Sequence, residues 1–190
     1  MTEPAHAGPG GPLTRQDDGV RIVAAAAGSA VFFGVAPCVV AGLVPWALTG
    51  WRAGDTPDWW TAVQVAGAAL LVGCVVVLVQ AFARFVREGR GTPAPVAPTE
   101  HLVVGGLYRH VRNPMYVAVV GAIGAQALVL ARPVLLVYAA VAGAAMAAFV
   151  RWHEEPVLAA RYGDEYTTYR AHVRAWLPRA RPWHPARAEG

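Results

Sequence analysis

Four long apolar stretches, separated by polar or proline-rich connections, set the frame of this 190-residue chain. The first, residues 22–48, carries no charge and exceeds the roughly 20 residues that a helix needs to cross a bilayer. It is too long for the apolar part of a signal peptide, which runs to about 7–15 residues. Pro37 and Pro45 lie inside it and are expected to kink it or mark its end. A polar connection, 50–58, leads to Trp59 and Trp60, a pair suited to a membrane interface. The second run, 59–83, is interrupted only by Gln64 and Gln80 and is also long enough to span. Two shorter runs, 115–131 and 134–150, are joined by Arg132 and Pro133 and predict a tight helical hairpin. Small residues in that hairpin (Gly121, Gly124, Gly143, Ala144, Ala145) let helix backbones approach closely in lipid, and they also permit pairing between copies of the chain.

The pattern predicts an all-α polytopic membrane protein. It has four transmembrane helices, the last two a short hairpin, followed by amphipathic cytosolic helices at the C-terminal end. Residues 1–19, rich in glycine and proline, read as a disordered cytosolic tail, and 20–83 as two transmembrane helices. Residues 84–178 form the core that carries the candidate chemistry, opening with an arginine, glycine and proline linker, and 179–190 are a tail.

Composition agrees with this. Apolar residues make up 56% and charged residues 15%, with a mean hydropathy of +0.39, whereas soluble domains carry about 25% charged residues. A soluble enzyme is disfavoured, and disorder over most of the length is excluded. All sixteen basic residues are arginine, which we read as the coding bias of a GC-rich bacterial genome. With four spans, fourteen arginines fall on one side of the membrane and two on the other, so both termini are expected in the cytosol of a bacterial cytoplasmic membrane. The formal charge of +4 then serves topology, and no nucleic-acid partner is implied. A site built on the arginine-rich side would draw a cofactor from the cytosol and a substrate from the bilayer, among the membrane lipids.

Several chemistries find no support. Cys38 and Cys74 lie in apolar runs and read as small hydrophobes. His101 and His110 lack a third ligand at metal spacing, so no metal site is predicted. Serine-hydrolase, P-loop and dinucleotide-binding glycine motifs are missing.

Two segments are more polar than topology requires. In the first, Gly105-Gly106 frees the backbone for positive φ and close approach to a ligand, and Asn113-Pro114 resets the chain and starts a helix. The free N–H groups of that helix start suit a carboxylate; a plain loop before a span reads equally well. The second, Arg151-Trp152-His153-Glu154-Glu155-Pro156, follows the last span. Arg151 and Glu155 share a helical face in the weaker order for an ion pair, and two carboxylates at a helix C-terminal end oppose its dipole. Such a pair serves either as a solvated helix end or as a holder of hydroxyls or a cation in an interfacial cleft. Tyr162-Gly163-Asp164-Glu165-Tyr166, with Tyr169, reads as a turn between two amphipathic helices, its tyrosines as packing or interfacial anchors.

In these segments the sequence resembles the isoprenylcysteine carboxyl methyltransferase family and its relatives, the membrane phospholipid N-methyltransferases. The resemblance rests on Leu102-Val103 ahead of Gly106-Leu107-Tyr108, on Arg112-Asn113-Pro114-Met115-Tyr116, on Arg151 with Glu154-Glu155, and on 162–166 with Leu177-Pro178. It covers about residues 78–178; earlier residues match only as generic spans. It implies an integral membrane enzyme that binds S-adenosylmethionine without a dinucleotide-binding fold. The implied cofactor residues are Glu100, His101, Leu102, Val103, Gly106, Tyr108, Asn113, Pro114, Met115, Tyr116 and Glu155. The implied catalytic set is Arg151, handling the substrate, with Glu154 and Glu155. Asn113 stands where the family usually has histidine, and Glu100 where the prenylcysteine enzymes have histidine; an asparagine donates a hydrogen bond but does not titrate near neutral pH.

The implied reaction transfers a methyl group to a carboxyl, amine or thiol of a lipophilic, isoprenoid-like molecule. An amine acceptor has to lose a proton, for which Glu154 is the nearest acceptor by position. Two other readings use the same residues: an NADPH-dependent membrane reductase of the sterol-reductase type, and a non-catalytic membrane adaptor.

Overall fold

Among the described residues, the α-helices that begin at residues 114, 133 and 155 each have a proline in the first turn, and the apolar runs fold as helices. The computed structural model describes residues 35–88, 102 and 104–184, in which all regular structure is helical. Helix α1 is described over Val35–Thr49, and α2 is Trp60–Glu88. A single 3-10 turn, Gly106–Arg109, precedes α3, Pro114–Leu130. Then come α4, Pro133–Phe149, a π turn at Val150–Glu154, and α5, Glu155–His172. The predicted tail 1–19 and the first part of the first apolar run lie outside the described residues.

Two helices are long and apolar enough to cross a membrane, Trp60–Ala83 and Pro133–His172, while Val35–Thr49 and Pro114–Leu130 are shorter apolar helices. The hairpin of α3 and α4 forms as predicted, with Ala131 in the left-handed region closing the turn. Its second arm does not stop at residue 150. The backbone stays helical through the π turn into α5, so Glu154 and Glu155 lie within a continuing helix rather than at a free C-terminal end. The apolar part of this long helix ends at Val150, and the charged residues begin at Arg151.

Helix α3 is the central element. Ala118, Val119, Ala122, Ile123, Ala125 and Ala127 are buried, and Val119, Ile123 and Ala127 pack with Leu135 and Ala139 of α4. Leu78 of α2 and Val40 and Ala41 of α1 close the cluster. Glycine sets the spacing between α2 and α3: a Cβ at Gly67 would stand 2.9 Å from the Leu128 Cβ, and one at Gly121 2.8 Å from the Cys74 Sγ. Gly121 acts as predicted, whereas Gly124 has open space where a side chain would begin.

Pro37 and Pro45 do not break α1. The helix widens into a π turn at Val39–Leu43, where the Val44 N–H bonds the Val39 carbonyl. Two carbonyls therefore lose their usual helical donors. Pro45, with no N–H, offers nothing to Ala41, and Val44 is already engaged. Side chains from the hairpin replace both donors: Gln126 Nε2 donates to the Ala41 carbonyl at 2.7 Å, and Tyr138 Oη to the Val40 carbonyl at 2.9 Å. In lipid, where water cannot serve, such replacement is what makes the irregular turn tolerable.

After α5, which is interrupted at Gly163 with φ of +50°, the chain leaves helix at Val173 and runs back over the segment before α3. The Arg112 and Asn113 N–H groups donate to the Arg174 and Ala175 carbonyls at 2.9 and 3.2 Å. Arg179 N–H donates to the His110 carbonyl, and Trp183 N–H to that of Arg109. Residues 179–184, placed by the sequence in a tail, thus help to hold the loop that carries the candidate site.

Candidate functional site

The 104–116 loop lies between the C-terminal strap and the start of α5, and its backbone is set by its own residues. Gly105 is extended, Gly106 has φ of +53°, and the short turn that follows brings Tyr108 inward until it is buried. The Tyr108 carbonyl accepts a hydrogen bond from Tyr169 Oη at 2.7 Å, and burial pushes the Tyr169 phenol above its usual range. Leu102 packs with Val104 against the buried cluster of Tyr166, Tyr169 and Val173. Glu100, His101 and Val103 lie outside the described residues.

Asn113 directs its backbone and its side chain at one acceptor. Its backbone N–H and its side-chain Nδ2 each reach the Ala175 carbonyl at 3.2 Å, so this side chain anchors the strap. Pro114 is fully buried at the first turn of α3, and Met115 is half-buried beside it. One residue later Tyr116 directs its hydroxyl to Glu154 Oε1 and sets its ring beside Trp176, with centroids 6.3 Å apart.

The two acidic residues therefore face opposite flanks of the Asn113-Pro114 turn. Glu154 takes Tyr116, on the α3 side. Burial pushes the Glu154 carboxyl above the usual carboxylate range, while the Tyr116 hydrogen bond and the His153 charge partly offset that rise. Glu155 takes Arg112, on the loop side. Arg112 Nη1 lies 3.0 Å from Glu155 Oε1 and donates at 3.0 Å to Tyr166 Oη. Glu155 is only 6% exposed, so this is a buried ion pair with a tyrosine as third member.

The expected face-sharing of Arg151 and Glu155 does not produce a pair. Arg151 is exposed and makes no ion pair among the described residues, whereas Glu155 turns inward to Arg112, 43 positions earlier in the chain. Arg170 Nη2 approaches Glu155 Oε2 at 3.4 Å, yet that oxygen accepts no hydrogen bond among the described residues. Arg112 Nε is buried without a partner as well. Arg112, Tyr166 and Tyr169 are the members that sequence reasoning left without a site role. The only signal for Arg112 was its place immediately before the Asn-Pro turn. Nothing in the local pattern marked either tyrosine hydroxyl as a hydrogen-bonding element of the site.

Chemically, the arrangement offers a buried carboxylate with a spare acceptor oxygen, a guanidinium with a spare donor, and a second carboxylate of raised proton affinity one residue away. No group of three or more metal-ligating side chains occurs among the described residues.

A comparison with protein families matches residues 62–165 to the phospholipid methyltransferase model. No curated protein matches the chain. The family match begins within α2, ahead of the point where the sequence resemblance was traced, and runs through α3, α4, the π turn and most of α5. Glu154, Glu155 and the whole 104–116 loop fall inside it, and it spans more than half of the molecule: the chain belongs to the phospholipid methyltransferase family.

Proposed function

We propose that the protein is an S-adenosylmethionine-dependent integral membrane methyltransferase that modifies a lipophilic acceptor at the cytosolic face, on a four-span scaffold with both termini in the cytosol. The observation that carries this reading is the buried Arg112–Glu155 pair beneath the 104–116 loop, with Arg112 Nε and Glu155 Oε2 both lacking hydrogen-bond partners among the described residues. Native proteins seldom bury such atoms together without a ligand or ordered water to meet them. They fit the polar end of the cofactor: Oε2 accepts from a ribose hydroxyl or an ammonium, and Nε donates to a carboxylate.

When bound, S-adenosylmethionine supplies a methyl group on a sulfonium that already carries its leaving group. The residues of the chain bind and orient the reactants and exclude water. Arg112 and Glu155 hold the polar end, with Tyr166 fixing the guanidinium. Gly106 and Tyr108 shape the loop, and Arg151, exposed where the apolar helix ends, handles the acceptor. A carboxylate or thiolate acceptor needs no base. An amine gives up its proton, and Glu154 accepts it at Oε1 or Oε2 while the Tyr116 hydroxyl keeps the carboxylate oriented.

Equilibrium binding of S-adenosylhomocysteine and, separately, of NADPH to the detergent-purified full chain tests this. Saturable binding of the first, weakened at least tenfold in Glu155→Gln and in the milder Tyr166→Phe, is the expected result. Binding of NADPH alone, or of neither molecule, would refute it.

A further inference from the structure

Glu155 stands between two arginines in unlike settings. On one side Arg112, its side chain 12% exposed, lies 3.0 Å from Oε1 and also donates to Tyr166 Oη. On the other, Arg170 brings Nη2 to 3.4 Å from Oε2, with a side chain that is 47% exposed. Hydrogen bonds of this type are made at about 2.7–3.2 Å, so Arg170 is within ion-pair range of the carboxylate without bonding it. One guanidinium is fixed by two hydrogen bonds. The other is half in solvent and free to turn.

That Arg170 reaches Glu155 at all takes a break in α5. In an unbroken helix rising about 1.5 Å per residue, positions 155 and 170 would stand about 22 Å apart. An extended arginine and an extended glutamate, with bonds near 1.5 Å, cover together only about 12 Å. The break is at Gly163, whose φ of +50° and ψ of −121° are those of the first central residue of a type II′ turn, a conformation that favours glycine. Beyond it the helix turns back on the site. Tyr166 and Tyr169 are buried there, on Arg112 and on the Tyr108 carbonyl, and Arg170 follows them at the rim.

Burying Glu155 does not call for Arg170, because one guanidinium neutralises one carboxylate and Arg112 supplies it. The second arginine adds a positive charge beside the oxygen that suits a ligand ammonium. An ammonium on Oε2 would compete with Arg170 for that oxygen, and in an amino acid the ammonium has a carboxylate next to it. The planar fork of arginine matches a carboxylate with two parallel hydrogen bonds.

We infer that Arg170 is a further cofactor-binding residue, one that exchanges Glu155 for the carboxylate at the amino-acid end of the cofactor. The inference rests on the cofactor reading proposed above, and within it on the place and reach of Arg170.

The test is equilibrium binding to the full chain in a non-ionic detergent, by titration calorimetry, with two probes. One is S-adenosylhomocysteine; the other is S-adenosyl-3-thiopropylamine, the same molecule without its carboxylate. Arg170→Gln is expected to weaken the first at least tenfold and to leave the second within twofold, so that the preference for the carboxylate collapses. Arg170→Lys should lose less of that preference and gives a second reading should the glutamine variant fail to fold, which thermal unfolding shows. Arg161→Gln, which removes the same charge from the same helix, should leave the ratio of the two affinities unchanged. Equal losses for both probes, the mark of a residue that only steadies Glu155, or no loss for either, would overturn this inference and leave the cofactor reading standing. Binding of neither probe to the unaltered chain would overturn both.

Discussion

Gln126→Leu removes the hydrogen bond that joins α3 to α1, together with a longer one to the Ala122 carbonyl of its own helix at 3.3 Å, and leaves packing nearly intact. Gln126 is 9% exposed, and its Nε2 is the donor that meets the Ala41 carbonyl, which Pro45 cannot serve. Leaving a buried acceptor unmet costs about 1–3 kcal/mol in soluble proteins, while interhelical hydrogen bonds measured in a membrane protein average about 0.6 and reach about 1.7 kcal/mol. Since the carbonyl is freed by proline and has no local substitute, the upper part of the second range applies: about 1–2 kcal/mol. Pro45→Ala restores an N–H four residues after Ala41, and in that background the loss of Gln126 should cost little. The coupling between the two positions is therefore expected near 1 kcal/mol, measured as a double-mutant cycle by reversible unfolding in mixed micelles. The cavity left by the fully buried Pro45 side chain cancels in the cycle. A Gln126→Leu penalty that is the same with Pro45 in place and in the Pro45→Ala background would show that the bond does not compensate for the proline, and the account of the π turn would be wrong.

Other consequences can be checked alongside. Gly121→Ala drives a Cβ to within 2.8 Å of Cys74 Sγ and should destabilise by about 1–3 kcal/mol, with recovery in Cys74→Ala, whereas Gly124→Ala, which meets open space, should be neutral or gain up to about 1 kcal/mol of helix propensity. If the acceptor is an amine, turnover should rise with pH as Glu154 ionises, with an inflection above the usual carboxylate range. Tyr116→Phe, by removing a hydrogen bond that favours the carboxylate, should move that inflection to higher pH, and a shift to lower pH would contradict the assignment. Arg112→Met leaves Glu155 buried beside only the more distant Arg170 and should cost about 3–5 kcal/mol of stability, detectable as a large fall in the unfolding midpoint. Asn113→Ala, which frees one of the links to Ala175, should speed proteolysis within residues 174–184 while leaving the helical content unchanged by circular dichroism.

The helices were legible in the sequence because lipid demands long apolar runs, and the α3–α4 hairpin because Arg132-Pro133 interrupts them. The same rule hid the π turn: hydropathy is blind to hydrogen-bond register, and Pro37 and Pro45 announced a disturbance without saying that Gln126 and Tyr138 would repair it. At the site, the Asn113-Pro114 helix start and the paired glutamates stood out as polar residues with no topological reason to be there. Their partners did not. The i to i+4 rule pointed Glu155 at Arg151, whereas its charge is met by Arg112 from across the fold, a contact with no local period to betray it. The strap was illegible for a related reason, since main-chain hydrogen bonds from 109–113 to 174–183 leave no trace in side-chain pattern.

Because that strap is the last described part of the chain to be synthesised, it sets an order of assembly. The apolar helices can enter the bilayer and pack while the ribosome is still working, but the loop bearing Arg109, Arg112 and Asn113 finds its main-chain acceptors and the Trp183 clasp only once residues 174–183 have been made. Termination between the end of α5 and residue 174 would therefore leave the helices complete and the site never closed.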